Sequence, residues 1–87
     1  MTELPRDIRL KRIYMRATHR GMKEMDVILG RFCDAELATL DDATLDQFEA
    51  MMQENDQELF TWVTGRVEAA PEFADLVARI TSVATPR

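Results

Sequence analysis

The chain has 87 residues, of which 46% are hydrophobic and 31% charged. This composition is typical of one small globular domain and excludes both a disordered protein and a pair of domains. The formal net charge is −5, with eight basic and three acidic residues in residues 6–31, and three basic and twelve acidic residues from residue 32 onward.

Two helices are predicted in the N-terminal half. The first begins near Pro5, because the fixed φ of proline suits a first helical turn. Its apolar face follows helical spacing at Leu10, Ile13, Tyr14 and Ala17. We expect Gly21 to end this helix in the left-handed cap conformation. The apolar face of the second helix is formed by Met25, Ile28, Leu29, Phe32 and either Leu37 or a residue near it.

Three further helices are predicted in the C-terminal half. Asp41-Asp42 and Asn55-Asp56 are typical N-caps of the third and fourth helices. Gly65 marks the end of the fourth helix, and Pro71 marks the start of the fifth. The third and fourth helices carry Leu45, Phe48, Met51 and Met52, and then Leu59, Phe60, Trp62 and Val63. The fifth has the clearest apolar stripe, formed by Phe73, Leu76, Val77, Ile80 and Val83.

The fold class predicted by this pattern is all-α, a compact bundle of about five short helices. No segment alternates polar and apolar residues over the length of a strand. We expect a single domain over residues 1–87, with a core from about residue 8 to residue 83, Trp62 inside it, and residues 85–87 frayed.

Residues suited to metal binding or nucleophilic catalysis are few. Cys33 is the only cysteine and His19 the only histidine, whereas a structural zinc site needs about four nitrogen or sulfur ligands. We expect Cys33 to be a small buried side chain on the second helix. An enzyme that uses Cys33 as its nucleophile is an alternative. We therefore predict no metal and no covalently held cofactor.

The compartment is expected to be the cytoplasm. The basic N-terminal segment imitates a mitochondrial presequence, but such presequences avoid acidic residues, and Glu3 and Asp7 are present. No apolar run approaches the ~20 residues that span a bilayer, so we expect no membrane insertion.

The basic residues between positions 6 and 31 leave one alternative function open. Clustered lysines and arginines neutralise phosphates, so the alternative is a small nucleic-acid-binding protein that uses these residues. Against this, the whole chain is acidic, with a sequence pI of about 4.7. No recognised nucleic-acid-binding module emerges either, and a solvated helix face explains the charges at least as well.

The segment RGMKEMD, residues 20–26, places a cation and a glycine where the second helix begins. A helix N-terminus disfavours a cation, and Arg20 before Glu24 is the weaker order for a pair four residues apart. Local helix stability therefore gives no reason for Arg20. The segment is either a helix joint, with Gly21 as a cap, or an exposed docking site where Gly21 lets another backbone approach.

RGMKEMD resembles the Arg-Gly-x-x-Glu motif of the succinate dehydrogenase assembly factor family, also called the flavinylation factor family. The likeness continues through VILGRF, the acidic joint LDDATLDQFEAMMQEND, the segment LFTW and the final apolar helix, over residues 8–80. The resemblance implies a small five-helix protein that promotes covalent attachment of FAD to the flavoprotein subunit of succinate dehydrogenase, and in some bacteria of fumarate reductase.

The resemblance also implies which residues bind the partner. The motif's arginine, glycine and glutamate fall on Arg20, Gly21 and Glu24, which we predict to form an exposed docking surface. Four neighbours are weaker candidates for the same surface: Arg16, His19, Met22 and Asp26. The family's members are non-enzymatic, so FAD is expected on the partner and no cofactor is expected to bind stably here.

Overall fold

The computed structural model describes residues 5–84, which form five α-helices with no strand among them. The helices are α1 (Arg6–Thr18), α2 (Lys23–Glu36), α3 (Asp42–Met51), α4 (Asp56–Val63) and α5 (Ala74–Ala84). Short 3₁₀ turns at Leu37–Thr39 and Pro71–Phe73 precede α3 and α5. The predicted all-α bundle of about five short helices is confirmed, while the predicted fraying of residues 85–87 lies outside the described residues.

Polar side chains and one glycine fix several helix ends. Asp41 accepts a hydrogen bond from the Thr44 backbone N–H at 2.8 Å and so caps α3. Asn55 caps α4 in the same way, accepting from the Glu58 backbone N–H at 2.9 Å. Gly65 follows α4 with φ +79°, a left-handed conformation that suits glycine. All three match the predictions.

The prediction that Gly21 caps α1 is wrong. The helix ends at Thr18, and Gly21 does not have a positive φ. The Thr18 hydroxyl donates to the Tyr14 carbonyl at 2.8 Å, and His19 Nδ1 lies 2.9 Å from the Met15 carbonyl. These side chains satisfy carbonyls of the last turn, so α1 ends without a left-handed glycine.

The core surrounds α2, which packs against α1, α4 and α5. Phe32 on α2 meets Phe48 on α3 edge to face, with ring centroids 5.6 Å apart. Trp62 and Phe73 join α4 to the turn before α5, with centroids 6.1 Å apart. Trp62 and the stripe from Phe73 to Ile80 are buried, as predicted. This core fixes the positions of the joints between the helices.

Tyr14 is 38% exposed, although it was predicted as a core residue. It lies at the edge of the apolar face of α1, where the phenol keeps contact with water. The charge of Asp34, together with a hydrogen bond to it, raises the pKa of the Tyr14 phenol. Helical spacing alone does not distinguish the edge of an apolar face from its centre.

Candidate functional site: two helix joints held by Arg20 and Asp56

The joint between α1 and α2, residues 19–22, lies against residues 52–56, which comprise the joint between α3 and α4 and the first residue of α4. We call these the first and second joints. Arg20 connects them. Its Nη1 donates to the Met52 carbonyl at 3.0 Å, and its Nη2 donates to the Glu54 carbonyl at 2.8 Å. Its Nε donates to the carboxylate of Asp56, with which it also forms an ion pair. One side chain thus binds three groups across the second joint.

Asp56, at the second joint, accepts hydrogen bonds from two residues of the first joint. One carboxylate oxygen accepts from Arg20, and the other accepts from the Met22 backbone N–H at 3.0 Å. Burial alone would raise the pKa of Asp56. The hydrogen bond and charge of Arg20, with the backbone N–H groups of Gly21 and Met22, outweigh burial and lower that pKa below 3.8. The carboxylate is therefore held in its charged form.

Both side chains of this ion pair are largely buried. Only 12% of the Arg20 side chain and 15% of the Asp56 side chain are exposed. The expectation that Arg20 is an exposed docking residue is wrong in this respect. The chain's own second joint supplies a carboxylate and two carbonyls that bind the Arg20 guanidinium. The position of Arg20 just before α2 gives no local reason for a cation, whereas these tertiary contacts do.

Gly21 allows this close approach of the two joints. A Cβ atom added at Gly21 would lie 3.3 Å from Oδ2 of Asp56, closer than side chains ordinarily pack. The opposite side of Gly21 is open to solvent. The absence of a side chain therefore serves the chain's own packing and also leaves backbone accessible to another molecule.

Asp26 fixes the other end of the first joint. Its carboxylate accepts from the Arg20 backbone N–H at 2.6 Å, and the side chain is half-buried. Met22, the N-cap residue of α2, provides no side-chain cap. Its own N–H is bound by Asp56, so carboxylates from α2 and α4 take the place of a local capping side chain.

Glu24 is the exposed charged residue of the motif. Within residues 5–84 its carboxylate makes no hydrogen bond or ion pair, and Arg20 pairs with Asp56 instead. Glu24 borders an open depression of about 540 Å³ between the two joints. The other lining residues are Gly21, Met22, Lys23, Asn55, Asp56 and Gln57. The structure therefore brings Gly21 and Glu24 to one accessible surface and turns Arg20 inward beneath it.

The weaker candidates lie around this surface in different environments. Arg16 is exposed, and its Nη1 lies 3.8 Å from Oε2 of Glu49 on α3. His19 is exposed, and Met22 is half-buried against the edge of the core. Asp26 is turned toward the backbone of the first joint. Of these four, His19 and Arg16 offer the most accessible polar groups.

Most cations of the basic segment are bound within the chain. Arg6, Arg9, Arg16 and Arg20 contact acidic side chains, and Arg31 donates to the Ala84 carbonyl at 3.3 Å. In the described part of the chain, this leaves Lys11, Arg12 and Lys23 of the segment's eight cations without such a partner. The cations that left a nucleic-acid-binding function open as an alternative therefore serve mainly to join parts of the chain to each other.

Cys33 lies in the core, as predicted, with 5% of the residue exposed. Burial, followed by the charge of Asp34, raises the pKa of the thiol to about 12. A thiol with this pKa is almost entirely protonated near neutral pH and is a poor nucleophile. Across residues 5–84, no group of three histidine, cysteine, aspartate or glutamate side chains is arranged to hold a metal ion. None of the helices described is long and apolar enough to cross a membrane.

Sequence reasoning missed Asp56 as part of the site. Asn55-Asp56 was interpreted as a helix cap, and this local role explains the pair completely. Arg20 and Asp56 are 36 residues apart, and no spacing rule relates two joints at that distance. One signal could have suggested the pair. Each joint carries a charged residue, and the charge of Arg20 had no local explanation.

Comparison with known proteins places the chain in a family. Residues 11–84 match the family described as the flavinator of succinate dehydrogenase. The mitochondrial succinate dehydrogenase assembly factor 2 of Mycosarcoma maydis is 36% identical over 61 residues, covering 70% of this chain and 26% of that protein. The FAD assembly factor SdhE of Acetobacter pasteurianus is 34% identical over 71 residues, covering 82% of this chain and 65% of that protein.

A bacterial relative of closer length gives the same result. The FAD assembly factor SdhE of Legionella pneumophila strain Lens is 33% identical over 61 residues, covering 70% of this chain and 77% of that protein. The chain spans between 26% and 50% of the length of three mitochondrial relatives that it matches. Because the family match includes α2 to α5 and most of α1, the chain belongs to the flavinator of succinate dehydrogenase family.

Proposed function

We propose that this chain is an assembly factor that binds the flavoprotein subunit of succinate dehydrogenase and promotes covalent attachment of FAD to that subunit. The observation that carries the proposal is the family match over residues 11–84. The names of the relatives from Acetobacter and Legionella, FAD assembly factors, support the flavin step. The proposal extends to the flavoprotein subunit of fumarate reductase, and it places the protein in the cytoplasm.

The chain contributes binding rather than catalysis in this proposal. Bond formation between FAD and protein takes place on the partner, and this chain holds no flavin of its own. The state of Cys33 supports this division, because a buried thiol with a pKa of about 12 cannot attack a substrate efficiently. The internal ion pairs of the basic segment likewise give no support to nucleic-acid binding.

The proposed docking surface is the open side of the first joint and the start of α2. Gly21 and Glu24 face the partner there, and Gly21 lets the partner's backbone come close. Glu24 offers a carboxylate with no competing partner among the described residues. Arg20 supports this surface from beneath, and Arg16, His19, Met22 and Asp26 border it.

The function is tested by adding this chain to purified flavoprotein subunit and FAD. Covalent flavin is then measured as in-gel fluorescence after denaturation, and binding is measured separately by calorimetry. We expect the chain to bind the subunit and to increase covalent flavin. If it does neither, with fumarate reductase flavoprotein as well, the proposed function is overturned.

A matched pair of variants tests the docking surface. Glu24→Ala removes an exposed carboxylate from the first turn of α2, and Asp75→Ala removes one from the first turn of α5. Losing a charged contact that becomes buried in an interface costs about 2–5 kcal/mol, or about 30-fold or more in affinity. We expect that loss for Glu24→Ala alone. Equal affinity of the two variants would show that Glu24 lies outside the interface.

A further inference from the structure

The conformation of the first joint depends on a residue of the second joint. The joint is short and contains Gly21, so its backbone has no strong preference of its own. Arg20 and Met22 donate five hydrogen bonds to other parts of the chain. Asp56 accepts from the Met22 N–H at 3.0 Å and from Arg20 Nε, and Asp26 accepts from the Arg20 N–H at 2.6 Å. The other two run from the Arg20 guanidinium to the Met52 and Glu54 carbonyls. Among these partners, only Asp56 binds both Arg20 and Met22.

We propose that Asp56 is a positioning residue for docking of the flavoprotein subunit. It does not contact the partner but holds Gly21 and the start of α2 in the conformation that the partner binds. This inference rests on the proposed function. The second joint then has a role in recognition of the partner. Neither the Asn55 cap nor the acidic residues of this joint had suggested such a role.

The geometry favours a positioning role over a direct contact. Both oxygens of Asp56 are already bound, one by Arg20 and one by the Met22 N–H. With 15% of its side chain exposed, Asp56 offers little surface to a partner. Without Asp56, the joint would have to be ordered during binding, and this ordering would lower affinity without removing any contact with the partner.

The test uses Asp56→Ala and Asp56→Asn in the full chain, with isolated flavoprotein subunit as the binding probe. Binding is measured at low temperature, where circular dichroism shows each variant fully folded. Two controls are included. Ile80→Val trims a buried side chain of α5 and serves as the control for lost stability. Glu36→Gln removes the charge from a different pair, Arg79–Glu36, which joins α2 to α5 away from the joints.

Hydrogen exchange at the Met22 amide distinguishes a positioning role from a merely structural one. If Asp56 contributed only to overall stability, its replacement would speed exchange at this amide no more than elsewhere in the chain. In both Asp56 variants we expect this amide to exchange faster while core amides stay protected. We also expect affinity to fall by about 10- to 100-fold, because the joint must now be ordered on binding. Ile80→Val and Glu36→Gln should bind within about twofold of the unsubstituted chain.

Two results would overturn the inference. Wild-type affinity in an Asp56 variant whose Met22 amide exchanges rapidly would show that joint order does not matter. An equal loss of affinity in Ile80→Val, at the same loss of melting temperature, would show that stability alone is responsible. If Asp56→Ala does not fold, Asp56→Asn, which preserves side-chain size, decides the question. Failure of the unsubstituted chain to bind overturns the proposed function and this inference together.

Discussion

Replacing Arg20 by alanine should destabilise the fold and not only weaken docking. The substitution leaves the Asp56 carboxylate, 15% exposed, without its cation, and it leaves the Met52 and Glu54 carbonyls without a donor. Removing one partner of a buried ion pair costs about 3–5 kcal/mol. Because both side chains keep some contact with water, we expect a loss of about 3 kcal/mol.

That loss is large for a chain of this size. Domains are stable by roughly 0.05–0.15 kcal/mol per residue, which gives about 4–13 kcal/mol for 87 residues. A loss of about 3 kcal/mol lowers the melting temperature of such a domain by about 10–25 °C. Arg20→Ala should therefore still fold at low temperature, with about 1–10 kcal/mol of stability left, and melt at a clearly lower temperature.

Glu24→Ala is the internal comparison, because Glu24 belongs to the same motif but its carboxylate makes no hydrogen bond or ion pair within residues 5–84. Its effect on the free energy of unfolding should stay within about 0.5 kcal/mol. Urea unfolding followed by the fluorescence of Trp62 measures both variants, and the double variant Arg20→Ala/Asp56→Ala measures the coupling. If Arg20→Ala and Glu24→Ala unfold at the same urea concentration, the internal role of Arg20 is refuted.

Three further predictions follow from single residues. Because the pKa of Asp56 is lowered in the fold, its contribution is present above pH 3.8 and is lost as the pH falls through the folded-state pKa. The free energy of unfolding should decline as the pH falls through and below 3.8, less steeply in Asp56→Asn than in the unsubstituted chain. An equal slope in both proteins would contradict the assignment. Iodoacetamide should modify Cys33 at pH 8 about 1,000-fold more slowly than a free thiol, because the pKa of the Cys33 thiol is about 12 instead of 9.0. Mass spectrometry measures the rate of modification, with the urea-unfolded chain as the control. Asn55→Ala should cost about 1 kcal/mol through loss of the cap, whereas the exposed neighbour Gln57→Ala should leave the thermal melt unchanged.

The parts of the fold predicted from sequence are those that short-range rules control. Apolar residues spaced three and four apart identified the five helices, and Asp41, Asn55 and Gly65 were each identified as caps from their immediate neighbours. Burial of Trp62 and of the α5 stripe followed from the same spacing. These features depend on residues within one or two helical turns, which a sequence pattern contains in full.

The parts that could not be predicted depend on contacts between distant joints. Asp56 had a sufficient local explanation as a cap, so nothing directed attention to Arg20, 36 residues away. The sequence suggested that position 21 requires glycine for its backbone conformation. The structure shows instead that the Asp56 carboxylate lies too close to leave ordinary room for a Cβ atom there. Tyr14 fits the apolar pattern of α1, and only the tertiary packing shows that it lies at the edge.

The cation at the start of α2 is explained by where its charged end lies. The Cα of Arg20 precedes the N-terminus of α2, where a cation is disfavoured by about 0.3–1 kcal/mol. Its guanidinium donates to the carbonyl of Met52, the C-cap residue of α3, where a cation is favoured. Asp56 is the first residue of α4, where an anion is favoured. Each hydrogen bond to a charged group adds about 1.5–3 kcal/mol. The unfavourable interaction with α2 is therefore smaller than the favourable ones at α3 and α4, and Arg20 stabilises the two joints together.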